Sequence, residues 1–335
     1  MRALLLLLAA PVIVPAQIPR IGVLDFYGVR KVGEERIRKT AGVHEGDRLP
    51  GSKAAIEDRI EKIPGILAAR LEAVCCTDQQ AIVYIGVEER DSSHFEFRPL
   101  PTGTETLPAE LLDTYRTFLR VFEEGVRAGN TGEDLSQGHR LSENPAARSY
   151  QEQFVALADE NLSTLRQVLL GAEDAEQRAA AAYLIGYASG KALVVNDLQL
   201  AMQDADESVR ANAMQSLGAI AVYGQSHPDS EIRVQPTWFI ELLNSIVWSD
   251  RLRAAKALVI LTDRRDPRML AALRERALPA LVEMAQWKTL THALPAFILT
   301  GRVGGMPETE IHNAWSAGNR MIVIKRALGK GRSSK

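Results

Sequence analysis

Apolar residues recur at helical spacing through most of the second half of the chain, from Ala147 to about Leu328. Within this region the segment 204–221 matches the segment 172–188 at an offset of about 32 residues. Self-similarity at such a period is typical of helix pairs that stack side by side, because one pair alone cannot bury its apolar face. The matched positions are Asp174 and Asp206, Arg178 and Arg210, Ala181 and Ala213, Ile185 and Leu217, and Gly186 and Gly218.

A third copy follows at an offset of about 41 residues and matches less closely. Arg251 stands at the position of Arg210, but Val247 occupies the position where an aspartate is expected. Oppositely charged residues four apart on a helix can support each other. The sequence therefore predicts that Asp206 pairs with Arg210 along its own helix, and that the preceding copy does the same.

The repeated unit resembles the HEAT repeat, a pair of helices of roughly 40 residues. Small residues at Ala181, Gly186, Ala213 and Gly218 allow neighbouring helices to approach closely. The resemblance implies an all-α HEAT-like solenoid over residues 147–328. It also implies that the Asp and Arg residues of the repeat hold neighbouring repeats together rather than bind a ligand.

The first part of the chain has a different pattern. Ile21 to Tyr27 is rich in β-branched and aromatic residues and predicts a strand, and two short amphipathic segments that end near Gly42 and Pro64 predict helices. Two further strands are expected, from Ile66 to Cys76 and from Ala81 to Glu88. The predicted order is β-α-α-β-β, so the fold class is α+β: a small mixed domain followed by the helical repeats.

The segment 18–90 resembles a POTRA module, the polypeptide-transport-associated domain of outer-membrane assembly proteins. The resemblance depends on residues at the turns and inner faces of the predicted elements. These are Phe26-Tyr27-Gly28, Val32, Ile37, Glu45-Gly46-Asp47, Leu49, Ile63-Pro64-Gly65 and Val87-Glu88.

POTRA modules bind polypeptide by adding a strand to an exposed sheet edge, which requires backbone pairing but no special side chain. The resemblance implies that the edge strand lies around Leu67 to Ala73, with Ala69, Leu71 and Ala73 as candidate protein-binding residues. A POTRA-like fold that serves only as a packing domain is an equal alternative, because the matching residues are those that form the fold.

Residues 91–146 are expected to be a linker with one helix. Pro99, Pro101 and Gly103 interrupt any regular pattern, and an apolar stripe then predicts a helix from about Pro108 to Arg127. The following tract, 133–146, is polar and predicts a loop. Residues 329–335 are predicted to be a solvated basic tail.

The opening residues 1–16 combine one positive charge with a short apolar run that ends in small residues, which is typical of a secretory signal peptide. Cleavage is expected after Ala16, and an uncleaved anchor is the alternative. An exported protein of the periplasm or cell envelope follows from this interpretation. No later stretch is long and apolar enough to span a bilayer, so no membrane span is expected in the mature chain.

Cys75 and Cys76 are the only cysteines in the sequence. A bridge between neighbours would be strained, because adjacent Cα atoms lie closer than in a relaxed disulfide. Two unpaired thiols, a vicinal bridge and an intermolecular bridge all remain open.

The net charge of −2 and the isoelectric point of about 6.4 give no global field that would attract nucleic acid, so no nucleic-acid partner is expected. No catalytic, cofactor-binding or metal-binding residue is predicted. The segment Gly186 to Lys191 lacks the spacing of a phosphate-binding loop and is interpreted as a helix end. The histidines have no metal-ligand spacing; they are His44, His94, His139, His227, His292 and His312.

These observations favour a non-enzymatic, exported protein-binding scaffold, with a role in cell-envelope assembly as the leading hypothesis and protein partners of unknown identity. A HEAT-like enzyme of the lyase or hydroxylase type, and a purely structural dimerisation protein, are the alternatives.

Overall fold

The computed structural model describes residues 18–77 and 80–329, without the side chains of residues 75–77. The predicted signal peptide, the thiols of Cys75 and Cys76, and the tail beyond Gly329 lie outside the described residues. Among the described residues, no helix combines the length and the apolar character needed to cross a membrane.

The chain folds as a mixed α+β structure in which a small sheet precedes a long helical region, as expected. The first elements follow the predicted order: β1 (Ile21–Tyr27), α1 (Glu34–Ala41), α2 (Ala54–Glu61), β2 (Ile66–Thr77) and β3 (Gln80–Glu89). The strand order in the sheet is β1-β3-β2, with β1 parallel and β2 antiparallel to the central strand. Both β1 and β2 are therefore edge strands.

One face of the sheet is covered by α1 and α2. Side chains that alternate along the strands, such as Leu24, Leu71 and Ile85, meet Ile37 of α1 and Ile60 of α2 in a compact apolar core. This arrangement follows from the period of two along a strand, which sends every second side chain to the same face.

The other face of the sheet packs against the helical region, which the sequence did not predict. Tyr27 and Tyr84 are fully buried there and belong to the same core as the helices. The Tyr84 ring stacks on Trp248 with 4.9 Å between centroids, and its hydroxyl lies 2.8 Å from Nδ1 of His292. Tyr27 donates a hydrogen bond to the carbonyl of Ile246 at 2.6 Å. The sheet is thus the middle layer of a continuous body.

The helical region begins with α3 and a small hairpin of two short strands, and it continues to Gly329. Two short 3-10 helices, Ile185–Tyr187 and Pro228–Ser230, interrupt it. The elements are α3 (Ala109–Arg127), β4 (Glu133–Asp134), β5 (Leu141–Ser142), α4 (Pro145–Glu160), α5 (Leu162–Gly171), α6 (Ala175–Leu184), α7 (Lys191–Ala201), α8 (Glu207–Ser226), α9 (Thr237–Leu242), α10 (Trp248–Leu261), α11 (Pro267–Met284), α12 (Leu290–Val303), α13 (Glu308–Ser316) and α14 (Arg320–Gly329).

Residues 91–146 pack onto this helical region. Phe95 and Leu107 are buried in the helical core together with Phe118 of α3. The tract predicted as a loop contains the strands β4 and β5, and Leu141 is 2% exposed. The segment therefore adds a helix and a hairpin to the side of the array.

The repeated arginines make the same backbone contact in three alternate helices, α6, α8 and α10. Arg178, Arg210 and Arg251 are almost fully buried at the start of α6, α8 and α10. Each donates to the carbonyl oxygen six residues earlier, at 2.9 Å to Ala172, 2.8 Å to Asp204 and 2.5 Å to Ser245. Each arginine thus fixes the turn between two helices, which explains why this residue type recurs at this position.

The ion pairs predicted within single helices do not form. Asp206 is instead the N-cap of α8, where its carboxylate accepts hydrogen bonds from the backbone N–H groups of Ser208 and Val209. Because the Asp206 carboxylate already accepts the two cap hydrogen bonds, Arg210 pairs with a carboxylate of the next repeat. Arg210 pairs with Asp250 of α10 at 2.8 Å. The aspartates and arginines therefore join consecutive repeats.

Candidate functional site

A groove lies between α8 and α10, beside the hairpin of β4 and β5. Its volume is about 350 Å³, and its lining includes Arg140, Gln215, Gly218, Arg253, Lys256 and Ile260. Gly218 comes from the most regular copy of the sequence repeat. A Cβ atom at this position would meet no described heavy atom within 4 Å, so the space above the glycine is open.

Two cations of α10 line the groove. Arg253 and Lys256 are three residues apart, so both lie on the same side of the helix. Arg253 is half-buried, and its Nε has no hydrogen-bond partner among the described residues. Within the described part of the chain, Lys256 likewise forms no ion pair. A buried donor without a partner is costly, which makes Arg253 the most unusual side chain of the groove.

The pKa values of both cations are lowered. Burial is the larger cause for Arg253, and the nearby carboxylates of Glu207 and Asp250 only partly oppose it. Partial burial is also the first cause for Lys256, although the residue as a whole is exposed, and the positive charge of Arg253 adds to it. A bound anion would relieve both effects, because it would replace the lost solvation and offset the repulsion between the two cations.

A second cleft of about 510 Å³ lies on the other side of Arg253, between strand β2 and the first turns of α8 and α10. Arg70 of β2 forms an ion pair with Glu207 at 3.2 Å in this cleft, and Glu207 also accepts a hydrogen bond from the hydroxyl of Ser249. Arg253 lines both clefts. Its guanidinium is therefore reachable from the sheet side and from the hairpin side.

The hairpin is fixed to the array next to the groove. Arg140 forms an ion pair with Glu133 across the hairpin, and its carbonyl accepts a hydrogen bond from the Tyr187 hydroxyl at 2.8 Å. The backbone N–H of Ser142 donates to Oε1 of Gln151 at 2.6 Å. Because Arg140 is already paired, the unpaired positive charge of the groove comes from α10.

A buried pair of basic residues lies where the loop between β4 and β5 meets the start of α7. His139 Nδ1 is 3.3 Å from Nζ of Lys191, which also donates to the carbonyl of Gly186 at 2.8 Å. Burial, followed by the positive charge of Lys191, lowers the pKa of His139 to about 4. Burial lowers the pKa of Lys191 to about 8. His139 is therefore neutral near pH 7 and accepts a hydrogen bond from the lysine.

Sequence reasoning missed both this pair and the groove. His139 is isolated in the sequence because its partner lies 52 positions further along the chain. The segment Gly186 to Lys191 does contain a helix end: α6 ends at Leu184, a 3-10 turn follows to Tyr187, and the next helix begins at Lys191. For the groove, the available signal was the i,i+3 spacing of Arg253 and Lys256 on one helix. The sequence places Asp250 three positions before Arg253, and only the structure shows that Asp250 pairs with Arg210 instead.

The candidate residues of the sheet edge lie on β2, whose outer side faces away from β3. The backbone N–H of Ala69 donates to Oε1 of Glu61 at 3.0 Å, and that of Leu71 donates to Oε1 of Glu57 at 2.7 Å. The methyl group of Ala73 is exposed beyond these contacts. Two glutamates of α2 thus occupy the amide groups that an added strand would use.

The lining of the groove is cationic and apolar. The described residues that line it include no histidine, cysteine, serine or threonine, and its one carboxylate, Glu133, is paired with Arg140. No group of three or more His, Cys, Asp or Glu residues in the described ranges is arranged to hold a metal ion. The arrangement can hold an anionic group against an apolar floor formed by Met214, Ala219 and Ile260.

No protein-family model matches the chain, and no curated protein matches it.

Proposed function

We propose that this chain is a non-enzymatic protein-binding scaffold, and that its groove between α8 and α10 binds an acidic segment of a partner protein. The observation that carries the proposal is the pair of cations without carboxylate partners, Arg253 and Lys256, beside open space above Gly218. The buried Nε of Arg253 is costly to keep without an acceptor, and a ligand that carries negative charge would supply one.

A polypeptide fits this groove better than a small inorganic anion does. The two cations can bind a carboxylate, while Met214, Ala219 and Ile260 offer contacts for neighbouring apolar groups of the same ligand. Stacked helix pairs also form extended surfaces that commonly bind other proteins. A peptide with alternating acidic and apolar residues would satisfy both kinds of contact.

The resemblance to HEAT repeats is part of the proposal. It is supported by the equivalent contacts of Arg178, Arg210 and Arg251 and by the ion pairs between consecutive repeats. The resemblance of residues 18–90 to a POTRA module is supported by the β-α-α-β-β order and by the edge position of β2. The signal-peptide pattern of residues 1–16 supports the further proposal that the scaffold acts after export, in the cell envelope.

The edge of β2 is a second candidate surface for a protein partner. A strand that paired with Ala69, Leu71 and Ala73 would have to displace Glu57 and Glu61 from the amides that they now occupy. The groove does not require such a displacement, and for this reason it is the first surface to test.

The test is the binding of a fluorescent peptide of alternating glutamate and leucine, followed by anisotropy at low ionic strength. We expect saturable binding to the natural protein, and at least about tenfold weaker binding to a double variant with Arg253→Gln and Lys256→Gln. A peptide with glutamine in place of each glutamate should bind weakly to both proteins, because it lacks the negative charge.

The matched control is the double variant Arg36→Gln and Lys39→Gln on α1. It removes an arginine and a lysine with the same spacing from an exposed helix far from the groove along the chain. We expect it to bind the acidic peptide as the natural protein does. Equal losses in the two double variants, or no binding by the natural protein, would refute the proposed role of the groove.

A further inference from the structure

The outward side of α14 combines large apolar side chains with unpaired cations. Met321, Ile322 and Leu328 are 48%, 51% and 51% exposed, and Lys325 and Arg326 are exposed between them. Because a helix turns once in 3.6 residues, these five residues share one side of α14, which we call the α14 outer face.

The opposite side of α14 is anchored in the core. Val323, Ile324 and Ala327 are buried against the preceding helices. Arg320 fixes the first turn, since its guanidinium donates to the carbonyl of Trp287 at 2.6 Å and lies over the Trp315 ring. The outer face is therefore held in place by the fold and is not formed by a loosely attached segment.

Three large apolar side chains of α14 lie outside the packing of the described helices. Scattered single apolar residues are common on surfaces, but a cluster of three on one helical face marks an interaction surface.

Positive charge is concentrated in the same part of the sequence. The segment 311–335 contains six lysine or arginine residues and no aspartate or glutamate, although the whole chain has a net charge of −2. Within the described residues, Lys325 and Arg326 form no ion pair. The six basic residues are Arg320, Lys325, Arg326, Lys330, Arg332 and Lys335.

We propose that the α14 outer face docks on an anionic lipid surface. Lys325 and Arg326 would lie at the level of the lipid phosphates, and Met321, Ile322 and Leu328 would enter the boundary between head groups and acyl chains. The positive face complements the negative surface, and the apolar side chains gain a non-aqueous contact. A nucleic acid would match the cations but would leave the three apolar side chains in water.

This attachment is peripheral and independent of the groove. A single helix face with two cations binds reversibly, and its binding weakens as salt screens the charges. α14 packs against α12 and α13 and contributes no residue to the lining of the groove, so the two proposed surfaces use different residues.

The test is co-sedimentation of the full chain with vesicles of phosphatidylcholine that contain about 30% phosphatidylglycerol, compared with vesicles of phosphatidylcholine alone. Each basic residue near such a surface contributes roughly a factor of five to binding. We therefore expect at least about tenfold weaker binding for the double variant Lys325→Gln and Arg326→Gln. The double variant Met321→Ser and Ile322→Ser should also bind more weakly, because it loses the apolar contacts.

The control is again Arg36→Gln with Lys39→Gln, which makes the same change of charge elsewhere. Residues 1–16 are identical in every variant, so differences between variants report on α14. Circular dichroism should show unchanged folding, since all the substituted residues are exposed. Equal sedimentation of the natural protein with both vesicle types, or equal binding by natural and α14 variant proteins, would overturn the proposal.

Discussion

Arg178 and Asp204 form an ion pair with two hydrogen bonds, from Nε to Oδ2 at 2.9 Å and from Nη2 to Oδ1 at 2.8 Å, and neither side chain is exposed. A third contact comes from Arg98, which donates to the same carboxylate at 2.7 Å. Burial would raise the pKa of Asp204, but the hydrogen bonds from Arg178, from the Asp206 backbone and from Arg98 outweigh it and hold the pKa below its usual range. The carboxylate thus joins α6, the turn before α8 and residues that follow the sheet.

The substitution Asp204→Ala should strongly destabilise the protein. It leaves the Arg178 guanidinium buried without a counter-charge, and breaking a buried pair in this way costs about 3 to 5 kcal/mol. Urea unfolding measures the change in the free energy of unfolding. The matched control is Asp113→Ala, which removes an exposed partner of Arg116 and should cost less than about 1 kcal/mol. Similar losses for the two variants would show that the buried pair has no special role.

Stability should decrease as the pH falls below the usual pKa of histidine, because of His139. The folded protein holds the pKa of His139 at about 4, compared with an ordinary value of 6.5. Below pH 6.5 the unfolded chain binds a proton that the folded protein excludes, so the folded state loses relative stability until the pH reaches about 4. Lys191 opposes protonation in the folded state, while Asp134 favours it.

The variant His139→Gln should lack this part of the pH dependence, which we expect to be about 2 kcal/mol. The measurement is the free energy of unfolding of both proteins at several pH values between 4 and 6.5. The control is His44→Gln, which removes an exposed histidine outside this buried pair. If the free energy of unfolding of the His139 variant depends on pH as it does in the natural protein, His139 does not cause this pH dependence.

The sheet and the helical array should unfold as one cooperative unit. All four tryptophans lie in the helical region, at positions 238, 248, 287 and 315, and Trp248 and Trp287 contact Tyr84 of the sheet. Tryptophan fluorescence therefore reports on the helices and on their contact with the sheet. Ile85→Ala removes a buried side chain from the sheet face that is covered by α1 and α2. We expect this substitution to lower the free energy of unfolding by about 2 to 5 kcal/mol. The unfolding midpoint measured by fluorescence should shift as much as the one measured by circular dichroism. A fluorescence midpoint that stays in place would mean that the sheet unfolds separately.

Removal of the two glutamates that cover the sheet edge should promote pairing at β2. The double variant Glu57→Ala and Glu61→Ala leaves the amide groups of Ala69 and Leu71 without their acceptors, and an uncovered edge strand tends to pair with another strand. Light scattering should detect concentration-dependent association of this variant. The control, Glu35→Ala with Asp58→Ala, removes the same charge from exposed positions of α1 and α2 and should not associate. Association by both variants would point to lost charge and not to the freed edge.

The sequence by itself determined the local structure of this protein. The order β-α-α-β-β, the helix that begins at Ala109, and the repeated helices around Arg178 and Arg210 all follow from hydrophobic periodicity, turn residues and capping residues. These signals arise among residues that are close in the chain, so one sequence is sufficient to display them.

Only the tertiary structure decided which distant residues meet. The aspartate partners of Arg178 and Arg210 lie 26 and 40 positions away, and no local pattern favours them over the aspartates at the helix caps. The burial of Tyr27 and Tyr84 depends on which helices cover the second face of the sheet. Arg253 and Lys256 are ordinary helix residues in the sequence, and they lack carboxylate partners only because of how α8, α10 and the hairpin pack. The physical reason is that side-chain periodicity defines which face of an element is apolar, whereas the identity of the surface that covers this face depends on the packing of the whole chain.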